Sequence, residues 1–243
     1  MSGIHDIRSE RLKKIALVRE RGIDPYPAES FRSESNASFV ASFKAHETSA
    51  DSVTLAGRVM SLRDQGGIVF ADLFDGTARV QTLIKKDDLD KEAFELFVDA
   101  VDAGDFIEVT GTAFTTKRGV QSLSGVSWSM LAKSVRPIPD EWYGLKDEDE
   151  RYRKRYLDML MNPEVTERIK KRSVFWNAIR SFMLERNFIE VETPVLETTT
   201  GGADARPFIA HHNALDIDVY LRISVGELWQ KRFKLLAKPA VIG

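Results

Sequence analysis

The chain has 243 residues, enough for two domains, and its 43% hydrophobic and 30% charged residues with a net charge of -2 are typical of a folded globular protein. It contains no Cys, which excludes disulfides, thiolate nucleophiles and Cys-ligated zinc. No stretch approaches the roughly 18 to 20 apolar residues of a membrane span, and residues 1–10 carry charge where a signal peptide needs an apolar core, so we expect a cytosolic protein.

The first predicted element is an amphipathic helix from Ile4 to Gly22, where the glycine is placed to end it. Its basic residues outnumber its acidic ones, and they are Arg8, Arg11, Lys13, Lys14, Arg19 and Arg21. This excess would favour a phosphate backbone nearby. A solvated face is the alternative, because mixed charge is usual on surface helices. Residues 31–52 then predict a short helix and a linker.

Short strands and turns dominate the next 80 or so residues. Strands are predicted near 53–59, 68–73, 78–84, 105–114 and 120–133, with a helix over 87–101. This order matches the five-stranded OB barrel, whose open face binds oligonucleotides by stacking bases on aromatic side chains beside cations. Other small barrels have the same number of strands, so the order favours an OB barrel without excluding them.

A helical region follows the predicted barrel. The acidic run Asp147–Glu150 is placed as the first turn of a helix, where carboxylates complement the helix dipole. A second helix begins at Asn162–Pro163–Glu164. Its apolar residues share one face at Val165, Ile169, Trp176, Ile179 and Met183.

The last part of the chain predicts strands around a conspicuous proline. Pro194 cannot donate a ladder hydrogen bond, so the strand that carries it should lie at a sheet edge or an interface. Residues 207–211 predict a strand, and residues 215–223 alternate as an antiparallel strand with one buried face. His211 and His212 are poor metal ligands together, because adjacent strand residues point to opposite faces. Residues 226–232 begin a final helix.

Three stretches resemble one known family. The end of the first helix, residues 19–27, reads R-E-R-G-I-D-P-Y-P and is similar to the opening of bacterial lysyl-tRNA synthetases. Residues 144–147 and 151–158 read G-L-K-D and R-Y-R-K-R-Y-L-D and resemble the hinge after the anticodon domain of that family. Residues 187–208 resemble motif 1 of class II aminoacyl-tRNA synthetases, and G-G-A-D-A-R-P-F within them resembles the lysyl form.

The resemblance implies an anticodon-reading surface on the barrel, made of Arg58, Arg63, Phe70 and Gln81. Phe70 would stack a base, Gln81 would read a Watson–Crick edge, and the two arginines would meet a phosphate or a base. The residues alone leave other interpretations open. Phe70 would be a barrel-core residue, since most strand aromatics pack inside, and the polar residues would be solvated outward positions.

The resemblance also implies a lysine site. Gly201 and Gly202 would let the substrate approach the backbone closely, and the Glu227 carboxylate would face the ε-ammonium of lysine. The register of Glu227 stays open, because the chain reads S-V-G-E where many relatives read A-P-E. A helix N-terminal charge is its other interpretation. Pro194 and the helix before it would belong to a homodimer interface, which leaves an exposed apolar stripe on an isolated subunit.

The implied fold class is α+β, with a five-stranded OB-fold β-barrel followed by the first part of a class II synthetase antiparallel α/β catalytic domain. The expected division is an N-terminal helix and linker at 1–51, the barrel at 52–137, a hinge at 138–160 and a truncated catalytic domain at 161–243. Motif 2, motif 3 and the acidic magnesium ligands of the family do not follow in these residues. We therefore expect no catalytic residue, no metal site and no tight binding of the ATP and Mg²⁺ that the family uses.

The implied function is the ATP-dependent attachment of lysine to tRNA through lysyl-adenylate, in a chain that itself binds tRNA without catalysis. A stand-alone OB-fold tRNA-binding or regulatory protein is the first alternative, using the barrel and the basic helix. An aspartyl- or asparaginyl-tRNA synthetase relative is the second. The G-G-A-D-A-R-P-F stretch and the candidate acid facing the substrate side chain argue against it.

Overall fold

The structure is a computed structural model that describes residues 4–139, 145, 147–199, 204–224 and 241–242. The chain forms two compact units, residues 1–144 and residues 145–243. Within the described ranges, no helix has the length and apolar character needed to cross a bilayer.

Five strands of the first unit close into a barrel in the order β1-β2-β3-β5-β4. The strands are β1 Val53–Asp64, β2 Ile68–Phe74, β3 Arg79–Lys85, β4 Phe106–Thr115 and β5 Gln121–Ala132. Neighbouring strands are antiparallel except β3 and β5, which run parallel. The predicted five-stranded barrel is therefore confirmed, and so is the α+β class.

The barrel interior is filled by the inward side of each strand. On β2 the buried residues Val69, Ala71 and Leu73 alternate with partly exposed neighbours, as period-two alternation requires of a strand with one buried face. Two phenylalanines from outside the sheet, Phe39 and Phe43, belong to the same core cluster. Strand residues and these two phenylalanines thus form one core beneath the outer surface of the barrel.

Four helices accompany the barrel: α1 Ile4–Glu20, α2 Asn36–Ala41, α3 Phe43–Ser49 and α4 Lys91–Ala100. The prediction of a single short helix over residues 31–52 was wrong, because two helices form there. The first is capped by Ser35, whose hydroxyl accepts from the Ser38 N–H at 3.1 Å. A break at Ser42 lets Phe39 and Phe43 both turn into the core, 0% and 2% exposed.

A pair of glycines allows the strongly curved pairing of β4 with β5. The register shifts between Thr110 and Gly111, and Gly111 lies opposite Gly125. A Cβ added to Gly111 would lie 1.9 Å from the carbonyl oxygen of Ser124. No side chain fits at that point, so a glycine is required for the strands to approach this closely.

The second unit begins with three helices, α5 Glu148–Arg153, α6 Arg155–Met161 and α7 Pro163–Leu184. The acidic run forms the first turn of α5 as predicted, and its cap Asp147 accepts from the Glu150 N–H at 2.8 Å. Asn162 precedes Pro163 at the start of α7 but makes no side-chain cap bond. Its amide instead donates to the buried Asp158 at 2.7 Å.

Short strands complete the second unit. They are β6 Ile189–Glu190, β7 Leu196–Glu197, β8 Ile209–His212, β9 Ile217–Leu221 and β10 Val241–Ile242. Strand β9 lies between β7 and β8, and β10 runs parallel to β6. The predicted final helix after residue 225 lies outside the described residues.

The prediction of a strand with one buried face over residues 215–223 was wrong in length and in burial. Leu215 lies in the turn before β9 and is 64% exposed, since Asp216 adopts a left-handed φ of 52° and turns the chain there. Within β9, Val219 is buried, whereas Ile217 and Leu221 remain more than a third exposed.

Candidate nucleic-acid interface

The outer surface of strands β1 to β3 carries an ordered grid of polar and aromatic side chains. On β2 the outward residues Phe70, Asp72 and Phe74 alternate with the core. The register places Arg63, Ser61 and Arg58 of β1 opposite them on one side. On the other side it places Gln81 and Arg79 of β3 opposite Asp72 and Phe74, whereas Leu83, opposite Phe70, is buried. All four residues predicted for the barrel surface therefore belong to one face.

Phe70 and Arg63 form the centre of this face. Phe70 is partly exposed, and the Arg63 guanidinium lies 5.6 Å from the centroid of its ring. The alternative that Phe70 belongs to the barrel core is wrong, because its neighbours Val69 and Ala71 take the core positions. Arg63 is also held 3.8 Å from a carboxylate oxygen of Asp72. A flat ring with a cation beside it is a surface on which a nucleic-acid base can stack.

Gln81 on β3 lies directly opposite Asp72 on β2. Its Oε1 accepts a hydrogen bond from the buried Ser122 hydroxyl at 3.1 Å, and this bond fixes the orientation of the side chain. The amide nitrogen of Gln81 has no protein acceptor among the described residues. A side-chain amide held in this way can present its donor to a base edge.

Arg58 has a different environment from Arg63. Its guanidinium donates to the Gly104 carbonyl at 3.0 Å and lies 4.2 Å from the centroid of the Phe106 ring. Burial lowers the pKa of Arg58, and the nearby Asp105 carboxylate opposes that shift. Strand β1 thus holds Arg58 against β4, while Arg63 remains beside Phe70.

Sequence reasoning missed several residues of the outer face. Asp72 accepts from the Ser61 hydroxyl at 2.5 Å. It lies two residues from Phe70 on the same side of β2 and is therefore an acidic neighbour of that ring. Two further aromatic rings have a cation near them, Phe74 with Arg79 at 5.9 Å and Phe114 with Lys85 at 5.7 Å. Strict alternation along β2 could have identified Asp72 and Phe74. Phe114 becomes a neighbour of Lys85 only when the barrel closes.

The basic residues of helix α1 divide into two groups. Arg11 is 7% exposed, and its guanidinium donates to the carbonyls of Ala103 at 2.9 Å and Arg136 at 3.0 Å. Lys14 pairs with Asp102 at 2.7 Å. These two cations attach the helix to the barrel, and Arg11 is buried while Lys14 is partly exposed. Arg8, Lys13, Arg19 and Arg21 are exposed. Lys13 pairs with Glu10 at 2.6 Å and Arg21 with Glu92 at 3.2 Å, so Arg8 and Arg19 are the exposed cations of α1 most available to a phosphate backbone.

A buried charge cluster completes this attachment. Lys133 is 0% exposed, and its ammonium lies 2.5 Å from Asp102 and 2.7 Å from Asp105. Burial by itself would raise the pKa of Asp102, but hydrogen bonds from Lys133 and Lys14 hold it below its ordinary value. The cluster stabilises α1 against the loop between α4 and β4, so the exposed arginines of α1 have a defined position relative to the barrel.

Of the site residues predicted for the second unit, the structure describes Pro194. Pro194 is exposed and lies between β6 and β7, outside both strands, and β7 is an edge strand of its sheet. Arg222 fixes this segment by donating to the Thr193 carbonyl at 2.9 Å. Gly201, Gly202 and Glu227, the residues predicted to bind lysine, lie outside the described residues.

Helix α7 leaves most of its apolar residues at the surface of the second unit. Of the predicted stripe, Val165 is buried, whereas Trp176 is 54% exposed and Ile169 and Ile179 each exceed 40%. Phe175 and Phe182 add more apolar surface, at 60% and 52% exposed. An apolar surface of this kind is typical of a helix that packs against another polypeptide segment.

The described residues contain no group of three or more His, Asp or Glu side chains with a geometry that could hold a metal ion. His211 lies within 3.3 Å of Asp216 and 3.1 Å of Asp218. His212 faces elsewhere and accepts from the Leu215 N–H at 3.3 Å. No catalytic step is assigned to the described residues.

Comparisons with known proteins cover both units. A family model for an OB-fold nucleic acid binding domain matches residues 53–138, and a model for tRNA synthetases class II (D, K and N) matches residues 147–235. The relatives named below all carry the name lysine–tRNA ligase. The one from Dehalococcoides mccartyi is 42% identical over 230 residues, which are 93% of this chain and 46% of that protein.

Two further relatives also match most of this chain with a little under half of their own length. The protein from Clostridium perfringens is 46% identical over 223 residues, covering 91% of this chain and 44% of its own length. The protein from Thermoanaerobacter pseudethanolicus is 44% identical over 230 residues, covering 94% and 45%. The chain thus spans a little under half the length of the curated relatives that it matches.

Proposed function

We propose that the chain is a homologue of the lysine–tRNA ligases that it matches, and that the protein attaches lysine to tRNA with ATP through lysyl-adenylate. We further propose that the barrel binds the anticodon loop of that tRNA. The observation that carries the second proposal is the outer face, where Phe70 lies beside Arg63 and one strand away from Gln81. A cytoplasmic location accompanies both proposals.

The outer face suits unpaired RNA better than a duplex. Sequence-specific RNA recognition targets loops, whose splayed bases stack on aromatic rings and expose their Watson–Crick edges. Phe70 offers the ring, and Gln81 offers an amide oriented by Ser122. Asp72 adds an acceptor beside both residues, which favours a base that carries an exocyclic or imino donor. The proposed partner is therefore a short run of unpaired nucleotides.

Phe70→Ala tests the anticodon proposal. We expect the variant to bind a fluorescent anticodon stem-loop of lysine tRNA more weakly by about 1 to 3 kcal/mol, the usual contribution of one stacked base. Fluorescence anisotropy at fixed salt measures the change. Phe31→Ala is the matched control, since Phe31 is 76% exposed and lies outside the barrel strands. Equal binding by wild type and Phe70→Ala would exclude this face as the stacking site.

Gln81→Ala tests base recognition separately from stacking. The variant should lose discrimination between the cognate stem-loop and one with a single base changed, because the substitution removes a hydrogen bond to a base edge. A bidentate or fixed amide contact to a base contributes about 1 to 3 kcal/mol of discrimination. Uniform weakening toward both RNAs would instead show that Gln81 only supports the fold through Ser122.

For catalysis, we propose that a polypeptide of these 243 residues binds tRNA but does not form lysyl-adenylate by itself. The chain spans a little under half the length of the lysine–tRNA ligases that it matches. Adenylate formation needs the substrate carboxylate and the α-phosphate held in line, with cations that neutralise the developing charge. Lysine-dependent exchange of pyrophosphate into ATP by the purified 243-residue polypeptide would contradict this proposal.

In the complete protein, we propose that Gly201, Gly202 and Glu227 contribute to the lysine site. We also propose that Pro194 and helix α7 lie in a homodimer interface. The exposed Phe175, Trp176 and Phe182 of α7 support the interface, since a core of aromatic residues is typical of stable subunit contacts. Glu227→Gln in the complete protein should abolish the stabilisation by lysine measured in thermal unfolding, and ATP should still stabilise the variant.

A further inference from the structure

A second aromatic ring with a cation beside it lies on the barrel surface, away from Phe70. Lys85 on β3 places its ammonium 5.7 Å from the centroid of the Phe114 ring on β4. The same ammonium donates to the Ser124 hydroxyl at 3.2 Å and pairs with Asp88 at 3.0 Å. These interactions hold Lys85 over strand β5, which separates β3 from the strand that carries Phe114.

Packing inside the barrel does not account for Phe114. Its neighbour Ala113 is 7% exposed and belongs to the core cluster, whereas Phe114 is partly exposed and lies outside that cluster. Alternation along β4 therefore places the Phe114 ring on the outer surface. A large ring at an outward position beside a cation has the same construction as Phe70 with Arg63.

The register connects Phe114 to the proposed RNA face. Gln81 lies opposite Ser122 across the β3–β5 pair, and Ser122 lies opposite Phe114 across the β4–β5 pair. One row thus runs from Asp72 on β2 through Gln81 and Ser122 to Phe114. At about 4.8 Å per strand, the row is about 14 Å long, which is more than a single base can occupy. OB barrels bind about 4 to 16 nucleotides, so one aromatic ring is too few.

Charge near Phe114 favours a phosphate backbone. The hairpin between β4 and β5 carries Lys117 and Arg118, both exposed and both without an ion pair in the described part of the chain. The acidic groups nearby are engaged, Asp88 with Lys85 and Glu47 with the Thr115 hydroxyl. Cations beside a stacking ring are the combination that binds single strands.

We propose that Phe114 and Lys85 form a second base-stacking position for the unpaired RNA that the barrel binds, with Lys117 and Arg118 contacting its phosphates. The proposal depends on the RNA-binding function proposed for the Phe70 face and extends it. The bound strand crosses the barrel from Phe70 past Gln81 to Phe114, and two of its bases each stack on an aromatic ring that has a cation beside it.

Phe114→Ala and Phe114→Leu in the full chain test the proposal, with the fluorescent anticodon stem-loop as probe. Both variants should bind about 5- to 150-fold more weakly, because neither alanine nor leucine offers a flat ring for stacking. Thermal unfolding by circular dichroism checks the fold. Leucine preserves most of the packing volume, so wild-type binding by Phe114→Leu with weak binding by Phe114→Ala would mean a packing role and overturn the proposal.

Stem-loops with one base removed identify which nucleotide uses the second position. At one loop position, removal of the base should weaken wild type but not Phe114→Ala, and at another it should weaken wild type but not Phe70→Ala. If Phe70→Ala binds weakly and both Phe114 variants bind like wild type, the second position is wrong and the first stands. If all of these variants bind like wild type, the RNA face itself is wrong.

The salt dependence tests the assignment of the two hairpin cations to phosphates. Lys117→Gln with Arg118→Gln should reduce the slope of log affinity against log salt by about 0.7 for each phosphate that is no longer neutralised, the value for single strands. The matched control exchanges Lys91, which is exposed on α4 and pairs with Glu95 at 3.9 Å, for Gln. An unchanged slope in the double variant would overturn the assignment of these two cations.

Discussion

The two units of the chain bury their large side chains to very different degrees. In the barrel unit, Phe39, Phe97 and Leu73 are all at most 1% exposed, and one core cluster joins strands and helices. In the described part of the second unit, Val165 and Val219 are buried, while Phe175, Trp176 and Phe182 are each more than half exposed. The barrel unit therefore packs around its own core, whereas the large aromatic side chains of helix α7 stay at the surface of the described part of the second unit.

A matched pair of phenylalanine substitutions gives the largest expected difference between the units. Phe97 is 1% exposed and meets the Trp128 ring edge-on at 5.1 Å, so Phe97→Ala should cost about 3 to 5 kcal/mol of unfolding free energy. Phe175 is 60% exposed, and Phe175→Ala should change stability by no more than about 0.5 kcal/mol. Urea denaturation followed by circular dichroism measures both. Similar losses of stability in the two variants would contradict the difference between the units.

Substitutions of charged residues should show a smaller difference in stability loss between the two units, and the loss should again be larger in the barrel unit. Asp102→Asn removes a carboxylate that accepts from Lys14 and the buried Lys133, and it should cost about 1 to 3 kcal/mol at pH 7. Asp149→Asn is the control, because Asp149 and its partner Arg153 are both more than 70% exposed. Exposed pairs contribute at most about 1 kcal/mol.

Acidification sharpens the test of Asp102. Its folded-state pKa lies below the ordinary value, since the hydrogen bonds from Lys133 and Lys14 outweigh its burial. Its contribution to stability is therefore complete above about pH 4, the ordinary range of aspartate, and is lost as the pH falls through the lowered folded-state pKa. The difference between wild type and Asp102→Asn in urea should shrink over that window. A difference that stays constant down to about pH 2 would contradict the assignment.

Trp176→Gln should have the smallest effect on the stability of the monomer. Its ring is 54% exposed, so the free energy of unfolding should change by no more than about 0.5 kcal/mol. If α7 lies in a subunit interface, the same substitution should raise the dissociation constant of the dimer by about 30-fold or more, the effect of truncating a buried aromatic side chain at an interface. Sedimentation equilibrium of the complete protein measures it. An unchanged dissociation constant would mean that Trp176 does not lie in the interface.

Much of the barrel could be predicted from local patterns. Alternation of apolar residues around the turns at Gly66 and Gly76 identified the first three strands, because period two follows directly from the pleat. The same reasoning overestimated the length and the burial of β9. There the alternation from Leu215 onward is real, but the fold turns at Asp216, and no described layer covers most of the apolar face. Alternation predicts a strand, and burial needs a second layer that alternation does not supply.

The candidate site was predicted only in part, for a similar reason. Phe70 and Gln81 were placed on the outer face from the family resemblance, and the structure confirms that both positions are outward. Their role in RNA binding stays a prediction. Arg11 was counted among cations free for phosphate, yet its partners Ala103 and Ser134 lie 92 and 123 residues away along the chain. Helical spacing cannot reveal such partners.

The amino-acid sequence alone identified the five barrel strands, the turns between them and the motifs that resemble those of lysyl-tRNA synthetases. These features depend on neighbouring residues, whose side-chain period and turn chemistry are local properties. Only the tertiary structure decided which cations are available. The β1–β2 pairing shifts its register between Val59 and Ser61. With that shift and the closure of the barrel, Arg58 lies against Phe106 and Lys85 lies beside Phe114. Contacts between strands distant in sequence form only when the barrel closes, and they determine whether a charge supports the fold or faces a ligand.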